Sequence, residues 1–308
     1  MPPGPTGTRS TQVPAAHTDS TGAAPLAGPV TLQPTPTDSA TTGWEALRST
    51  NALPVVMVGI EPQWEGRYFR HTEFTAPNVR SYDAHGYASL ALAAEVFPLA
   101  KIGPKFWRGF GVTLRYARAF GFDSDSKRLG APSREPSRPV DTDFSRYAVG
   151  LRYRIPLNPD SLTPFVLATS ASLCGWDFDF GPELPRGPDL EVPTAAYRMI
   201  RLGFDGSFHL GPVTFFGAFH YLHAFSIAAP SSRQLDELRY PHLPTAVGMG
   251  GEIRGAVGFT IWRRLELRFS AEYALLAFHL QPVEGRADEP ARVVDAYLAV
   301  GLGPYVSF

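Results

Sequence analysis

The sequence predicts an all-β protein: a ten-stranded antiparallel up-and-down transmembrane β-barrel preceded by a disordered tail. Three observations predict it. The closing stretch, Val293 to Phe308, alternates almost without fault and ends on an aromatic residue. Nine segments upstream share its period of two. The connections between segments alternate between short and long. A strand with one apolar face and an unpaired edge invites non-specific pairing, and closing the sheet into a barrel removes the edge.

Composition is consistent with this and excludes several alternatives. The 308 residues carry a formal net charge of −1, which gives no bulk attraction to nucleic acid or acidic lipid. Hydrophobic residues make up 44% and no window approaches eighteen uninterrupted apolar residues, so helical spans are not expected. The 30 prolines and 29 glycines cluster between apolar runs, as turns between many strands require. Cys174 is the one cysteine; it allows no intrachain disulfide, belongs to no metal-ligand pattern, and reads as a small apolar strand residue. Residues 1–45 are rich in Pro, Thr, Ser, Ala and Gly without periodicity, which reads as a disordered tail or linker. No basic start and apolar stretch of a secretory signal peptide is visible in it. The barrel is assigned to residues 50–308.

The ten segments run roughly 55–73, 82–97, 106–122, 144–157, 164–180, 195–210, 212–227, 251–262, 264–280 and 292–308. The third places Arg118 on its apolar face. In the fourth, Tyr147, Val149, Leu151, Tyr153 and Ile155 alternate with Arg146, Ala148, Gly150, Arg152 and Arg154. The fifth changes parity near Gly175; both faults, at Arg118 and at Gly175, sit near one strand end, where a bulge or the level of the lipid headgroups would absorb them. The ninth sets Leu265, Leu267, Phe269, Ala271, Tyr273 and Leu275 against Glu266, Arg268, Ser270, Glu272 and Ala274. In the tenth, Ala296, Leu298, Val300, Leu302, Val306 and Phe308 share one face, and Asp295, Tyr297, Ala299, Gly301, Gly303, Tyr305 and Ser307 the other. Short links fall at Asn158-Pro159-Asp160, Gly211-Pro212, Arg263-Arg264 and around Pro98 to Lys105; the longer links are 123–143, 181–194, 228–250 and 281–291. Short turns at one end and long loops at the other describe a meander with both termini at the short-turn end.

Alternation alone does not say which face looks outward. A soluble barrel would line its interior with the apolar set and bind an apolar ligand there; a membrane barrel inverts the arrangement. Segments of twelve to eighteen residues exceed the usual soluble strand. Trp64, Tyr68, Tyr116, Tyr147, Tyr153 and Tyr273 stand on the apolar set near strand ends, where interfacial aromatics belong. The alternate set mixes small residues with charges. These features favour the inverted barrel.

On these residues the chain resembles the bacterial outer-membrane β-barrel class over residues 50–308. Its closing segment, Gly301-Leu302-Gly303-Pro304-Tyr305-Val306-Ser307-Phe308, resembles the C-terminal signal of that class, with Gly303, Val306 and Phe308 in the signal positions and Pro304 an unusual member. The resemblance implies residence in the outer membrane, with outer-membrane lipid and the barrel-assembly machinery as partners. It names no solute.

The expected lumenal charges are Glu61, Glu65, Arg67, Arg115, Arg146, Arg152, Arg154, Arg201, Asp205, Glu252, Arg254, Glu266, Arg268 and Glu272, accompanied by Gln63, His85, Glu95, His209, His220 and Asp295. Ten strands enclose little more space than eight, whose interiors side chains fill, so ion pairs plugging the lumen are expected. An anion-attracting ladder of Arg115, Arg146, Arg152, Arg154 and Arg201 is the porin-like alternative. The strand count is also similar to that of omptin surface proteases, whose chemistry sets an Asp pair against an Asp–His pair. Asp123 with Asp125, and Asp177 with Asp179, echo only the spacing; no Asp-x-His follows on a late strand, and His220 and His223 fall on opposite faces. No catalysis, cofactor, metal or nucleic-acid partner is expected.

Overall fold

The computed structural model describes residues 54–71, 80–128 (save 103 and 105), 138–158, 163–180, 195–228, 247–279 and 292–308. The expected tail, 1–45, lies outside them, as do most of the long links. The strands are β1 (Val56–His71), β2 (Arg80–Val96), β3 (Phe110–Ala119), β4 (Phe122–Arg128), β5 (Arg138–Pro156), β6 (Phe165–Phe180), β7 (Ala195–Leu210), β8 (Val213–Ala228), β9 (Val247–Trp262), β10 (Leu265–His279) and β11 (Arg292–Ser307). β3 and β4 are successive halves of one stave, so eleven strands make ten staves. Each stave pairs antiparallel with its neighbours, and β1 pairs with both β2 and β11. The sheet therefore closes, and the ten-stranded barrel expected from the alternation is the fold observed.

Several expected boundaries move. The third segment, expected from 106, becomes a strand only at Phe110, after a 3-10 turn at Trp107–Gly109. The link 123–143 is shortened from both sides, because β4 continues the third stave to Arg128 and β5 starts at Arg138. The link 228–250 loses its last residues to β9, which begins at Val247. Polar, charged sequence hid the ends of β4 and β5, and at the start of β9 the glycines Gly248, Gly250 and Gly251 blurred the alternation. The break in the third stave is a bulge. Arg118 pairs with Ser145 but Phe122 with Thr142, three intervening residues against two, with Gly121 at φ +31°. A second bulge sits between Glu65 and Arg67 against β2, where Gly86 takes φ +66° beneath the Trp64 ring. The parity change near Gly175 has another cause: β5 and β6 pair without a register shift throughout.

The outer surface is apolar over most of its height. Trp64, Leu151, Leu173, Phe204, Ile253, Phe269 and Leu302 are all at least half exposed. A soluble sheet would bury this set. The alternate set, including Glu61, Glu65, Arg67, Arg146, Glu252, Arg268, Glu272 and Asp295, is buried inside. Alternation of side chains across a pleated strand makes this inversion possible, and a membrane solvent makes it stable.

Candidate functional site: the barrel interior

Because β1 begins at the short-turn end, its inward residues Glu61, Gln63, Glu65 and Arg67 climb the lumen in order, each reaching partners on other staves. Near the turn end the Arg268 guanidinium lies between the Phe216 and Tyr305 rings, 3.8 and 3.9 Å from their centroids. Its Nε donates to Glu266 Oε1 at 2.8 Å. Arg154 stacks 3.2 Å over Phe97 and donates from Nη2 to the Pro54 carbonyl at 2.8 Å. Arg152 bridges Glu95 and Asp205. His209 shares a 3.0 Å contact with Thr214.

In the middle, Glu61 accepts from Tyr305 (2.6 Å), Gln63 (2.8 Å), Ser270 and Arg254 (3.4 Å). Glu272 pairs with both Arg115 (2.6 Å) and Arg146. Arg146 also reaches Glu65 (3.1 Å) and Gln63 Oε1 (3.0 Å), and Glu65 accepts from Ser89 at 2.7 Å. Arg201 pairs with Glu252, with His220 Nδ1 3.4 Å from the same carboxylate. Several guanidinium atoms there, Nε of Arg146, Arg201 and Arg254 and Nη2 of Arg115, have no protein acceptor. Beside them Arg115, Arg146, Arg201, Glu252, Glu272, Cys174 and Trp176 line a cavity of about 20 Å³, enough for ordered water. Cys174 touches Ser172 at 3.7 Å and lies on the inner wall.

Toward the long-loop end the lumen changes character. Phe69, Tyr87, Phe144, Trp176, Phe178, Tyr197, Met199, Leu222, Leu276, Phe278 and Tyr297 form one buried apolar cluster. Phe144 stacks on Phe178 at 4.1 Å, Tyr87 on Phe122 at 4.0 Å, and Tyr197 on Phe278 at 5.0 Å. A charged pair sits inside it. Asp295 accepts from Arg67 Nη2 at 2.7 Å and Nε at 3.0 Å, and from the Tyr197 and Tyr297 hydroxyls at 2.8 and 2.6 Å. The Arg67 guanidinium also lies 3.6 Å over the Phe178 ring. The sequence reading missed this cluster. Its signal was present as the parity change at Gly175, after which Trp176 and Phe178 turn inward while Asp177 and Asp179 turn out.

All fourteen charges assigned to the lumen stand on the inner wall, and each has an opposite charge or a backbone carbonyl as partner. Counted with Glu95 and Asp295, these described residues are eight arginines and eight carboxylates. His209 and His220 are inside as well, and the side chain of His85 lies outside the described residues.

The acids that echo a protease stand elsewhere. Asp123 and Asp179 are exposed on the outer wall; Asp177 shares that wall and pairs with Arg198 at 2.7 Å. His220 points inward, away from them. At the other end, Phe308 is clamped by its backbone: its N–H donates to Val56 O at 2.8 Å and its carbonyl accepts from Val55 N at 2.7 Å. Val306 is half-buried opposite Val58, and Gly303 is buried against β1.

No family model matches the chain, and no curated protein matches it. Solved structures do. The outer membrane protease OmpT from Escherichia coli aligns at 10% identity and TM-score 0.47, over 82% of this chain and 96% of that one. The beta domain of the Bordetella autotransporter BrkA aligns at 14% and TM-score 0.41, over 82% and 98%. The outer membrane protein OprG from Pseudomonas aeruginosa aligns at 8% and TM-score 0.32, over 84% and 98%.

Proposed function

We propose that this chain is a bacterial outer-membrane protein whose barrel is a structural element of the membrane, with a lumen plugged by ion pairs and aromatic rings and without catalysis. The observation that carries this reading is an interior of paired charges and packed rings behind an apolar exterior. Among the described residues the lumen holds ion pairs below and packed rings above, and the cavity beside Arg146 and Glu272 has room for water. Eight arginines counted against eight carboxylates leave no net positive charge among the described lumenal residues to favour anions, which speaks against the porin-like alternative. Below the aromatic cluster the interior is lined by paired charges, which suit no apolar ligand and speak against a soluble carrier. The outward Asp177 and Asp179, remote from His220, speak against omptin-like hydrolysis. The assembly machinery and outer-membrane lipid are the partners that the Gly303, Val306 and Phe308 signal and the apolar belt call for.

Planar-bilayer recording of the refolded protein tests the reading. The expected result is heat-modifiable gel mobility, insertion, and no unitary conductance steps. Reproducible steps would replace the plugged barrel with a small porin, and full solubility without detergent would remove the membrane altogether.

A further inference from the structure

The short-turn end is chemically lopsided. The β2–β3 connection from Pro98 to Gly109 carries Lys101, Lys105 and Arg108 and no acid, and the β9–β10 turn is Arg263-Arg264. The other two turns, Leu157–Pro164 and Gly211-Pro212, contain one charge between them, Asp160. Going around the sheet from β9 through β10, β11, β1 and β2 to β3, the two basic turns bracket one continuous arc. Lys101, Arg108, Arg263 and Arg264 are all exposed. They are interleaved with large apolar side chains that have no reason to meet water. Ile102 is 83% exposed and Trp262 71%. Trp107 packs at 5.2 Å against Phe110 at the edge of the apolar belt, and the Arg264 guanidinium lies 5.8 Å from the Phe308 ring.

From this juxtaposition we propose that the arc is a collar for anionic phospholipid, the aromatic and aliphatic groups entering the leaflet at the turn end and the four bases engaging headgroup phosphates. The inference rests on the membrane reading above and adds lipid selectivity to it. Continuity with the belt fixes the occupant. A side chain at the foot of an apolar wall lies at the depth of the ester and phosphate groups, where indole rings settle and where Lys and Arg are attracted to negative lipid. The net charge of −1 hides this, because the lumenal charges counted above cancel among themselves and Asp123, Asp141, Asp143, Asp177 and Asp179 stand outside at the opposite, loop end.

Electron spin resonance in phosphatidylcholine vesicles tests it, with spin-labelled phosphatidylglycerol and spin-labelled phosphatidylcholine as probes. The expected result is a motionally restricted component for both labels, with phosphatidylglycerol preferred by roughly tenfold at low salt and by much less at high salt. The K101Q/R108Q/R263Q/R264Q variant should keep the restricted component and lose the preference. The charge-preserving R108K/R263K/R264K variant should keep both, which separates charge from folding. A preference near one for the native protein, or one retained in the glutamine variant, overturns the collar while leaving the membrane barrel intact. No restricted lipid with either label overturns both readings.

Discussion

Asp295 shows how much a single lumenal residue carries. It accepts five hydrogen bonds, three from Arg67 and two from tyrosine hydroxyls, at 0% exposure. Asp295→Ala takes the Asp295 carboxylate away from the Arg67 guanidinium, which stays buried at 1% exposure. Removing one partner of a buried pair costs about 3–5 kcal/mol, because the other charge stays behind uncompensated. Arg118→Gln breaks a pair of similar contact distance, 3.2 Å to Asp143, but both its side chains are more than half exposed. Its cost should stay within about 1 kcal/mol. Urea titration of the two variants, followed by heat-modifiable mobility, checks the contrast; equal midpoints would refute it.

At this scale the sequence was legible in part. Alternation placed Arg67 and Asp295 on the inner set, because a pleated strand has only two faces. It did not say that they meet, since that contact joins residues 228 apart and exists only when the barrel closes. Nor did it show Tyr197 or Trp176 as interior residues. An aromatic side chain on a charged face reads as a fault in the pattern until its neighbours across the lumen are known.

The seam between β1 and β11 is the weak element. Their pairing runs from Met57↔Ser307 to Gly59↔Tyr305, lapses, and resumes in the same register at Gln63↔Gly301. Pro62 and Pro304, which have no amide hydrogen to donate, both stand in the lapse. The two backbones nevertheless press together there. A Cβ on Gly303 would lie 2.0 Å from the Ile60 carbonyl oxygen. Gly303→Ala must therefore push the strands apart at the joint that closes the barrel, and it should cost about 1–3 kcal/mol as an overpacking substitution. Gly217→Ala is the matched control, since a Cβ at that position meets nothing within 4 Å and should shift stability by about 0.5 kcal/mol or less. Urea midpoints for the two variants decide it; a shift as small at Gly303 as at Gly217 would mean the seam yields freely. Strand count and order were readable because apolar alternation and turn residues are local signals. The fault at Arg118 pointed to the bulge at Gly121, but the bulge at Gly86 and the true starts of β5 and β9 were not readable, because they lie where the alternation loses its contrast.

Taken along its whole height, the barrel reverses polarity. On β6 the outward positions Phe165, Leu167, Thr169, Ala171, Leu173 and Gly175 span eleven residues, 165 to 175, close to the roughly 9–11 that a tilted strand needs to cross the hydrocarbon. Directly above, Asp177 and Asp179 face out and Phe178 faces in. β5 does the same, with Asp141 and Asp143 outside and Phe144 inside; Asp143 stands directly opposite Asp179, and Asp123 opposite Asp141. Like charges set side by side on a sheet are tolerable only in water. The loop-end third is thus built as a soluble barrel, apolar within and charged without, on top of a membrane barrel built the other way. On the membrane reading proposed above, the loop-side boundary of the bilayer falls between Gly175 and Asp177 on β6. Spin labels at Leu173, Leu202 and Ile253 should collide with dissolved oxygen and not with a water-soluble nickel chelate, while labels at Asp123, Asp141 and Asp179 should do the reverse. The crossover belongs within one or two residues of Gly175. Nickel accessibility at Leu202 and Ile253 equal to that at Asp179 would mean that the apolar wall faces water, and the inverted lower barrel would then have no solvent to explain it.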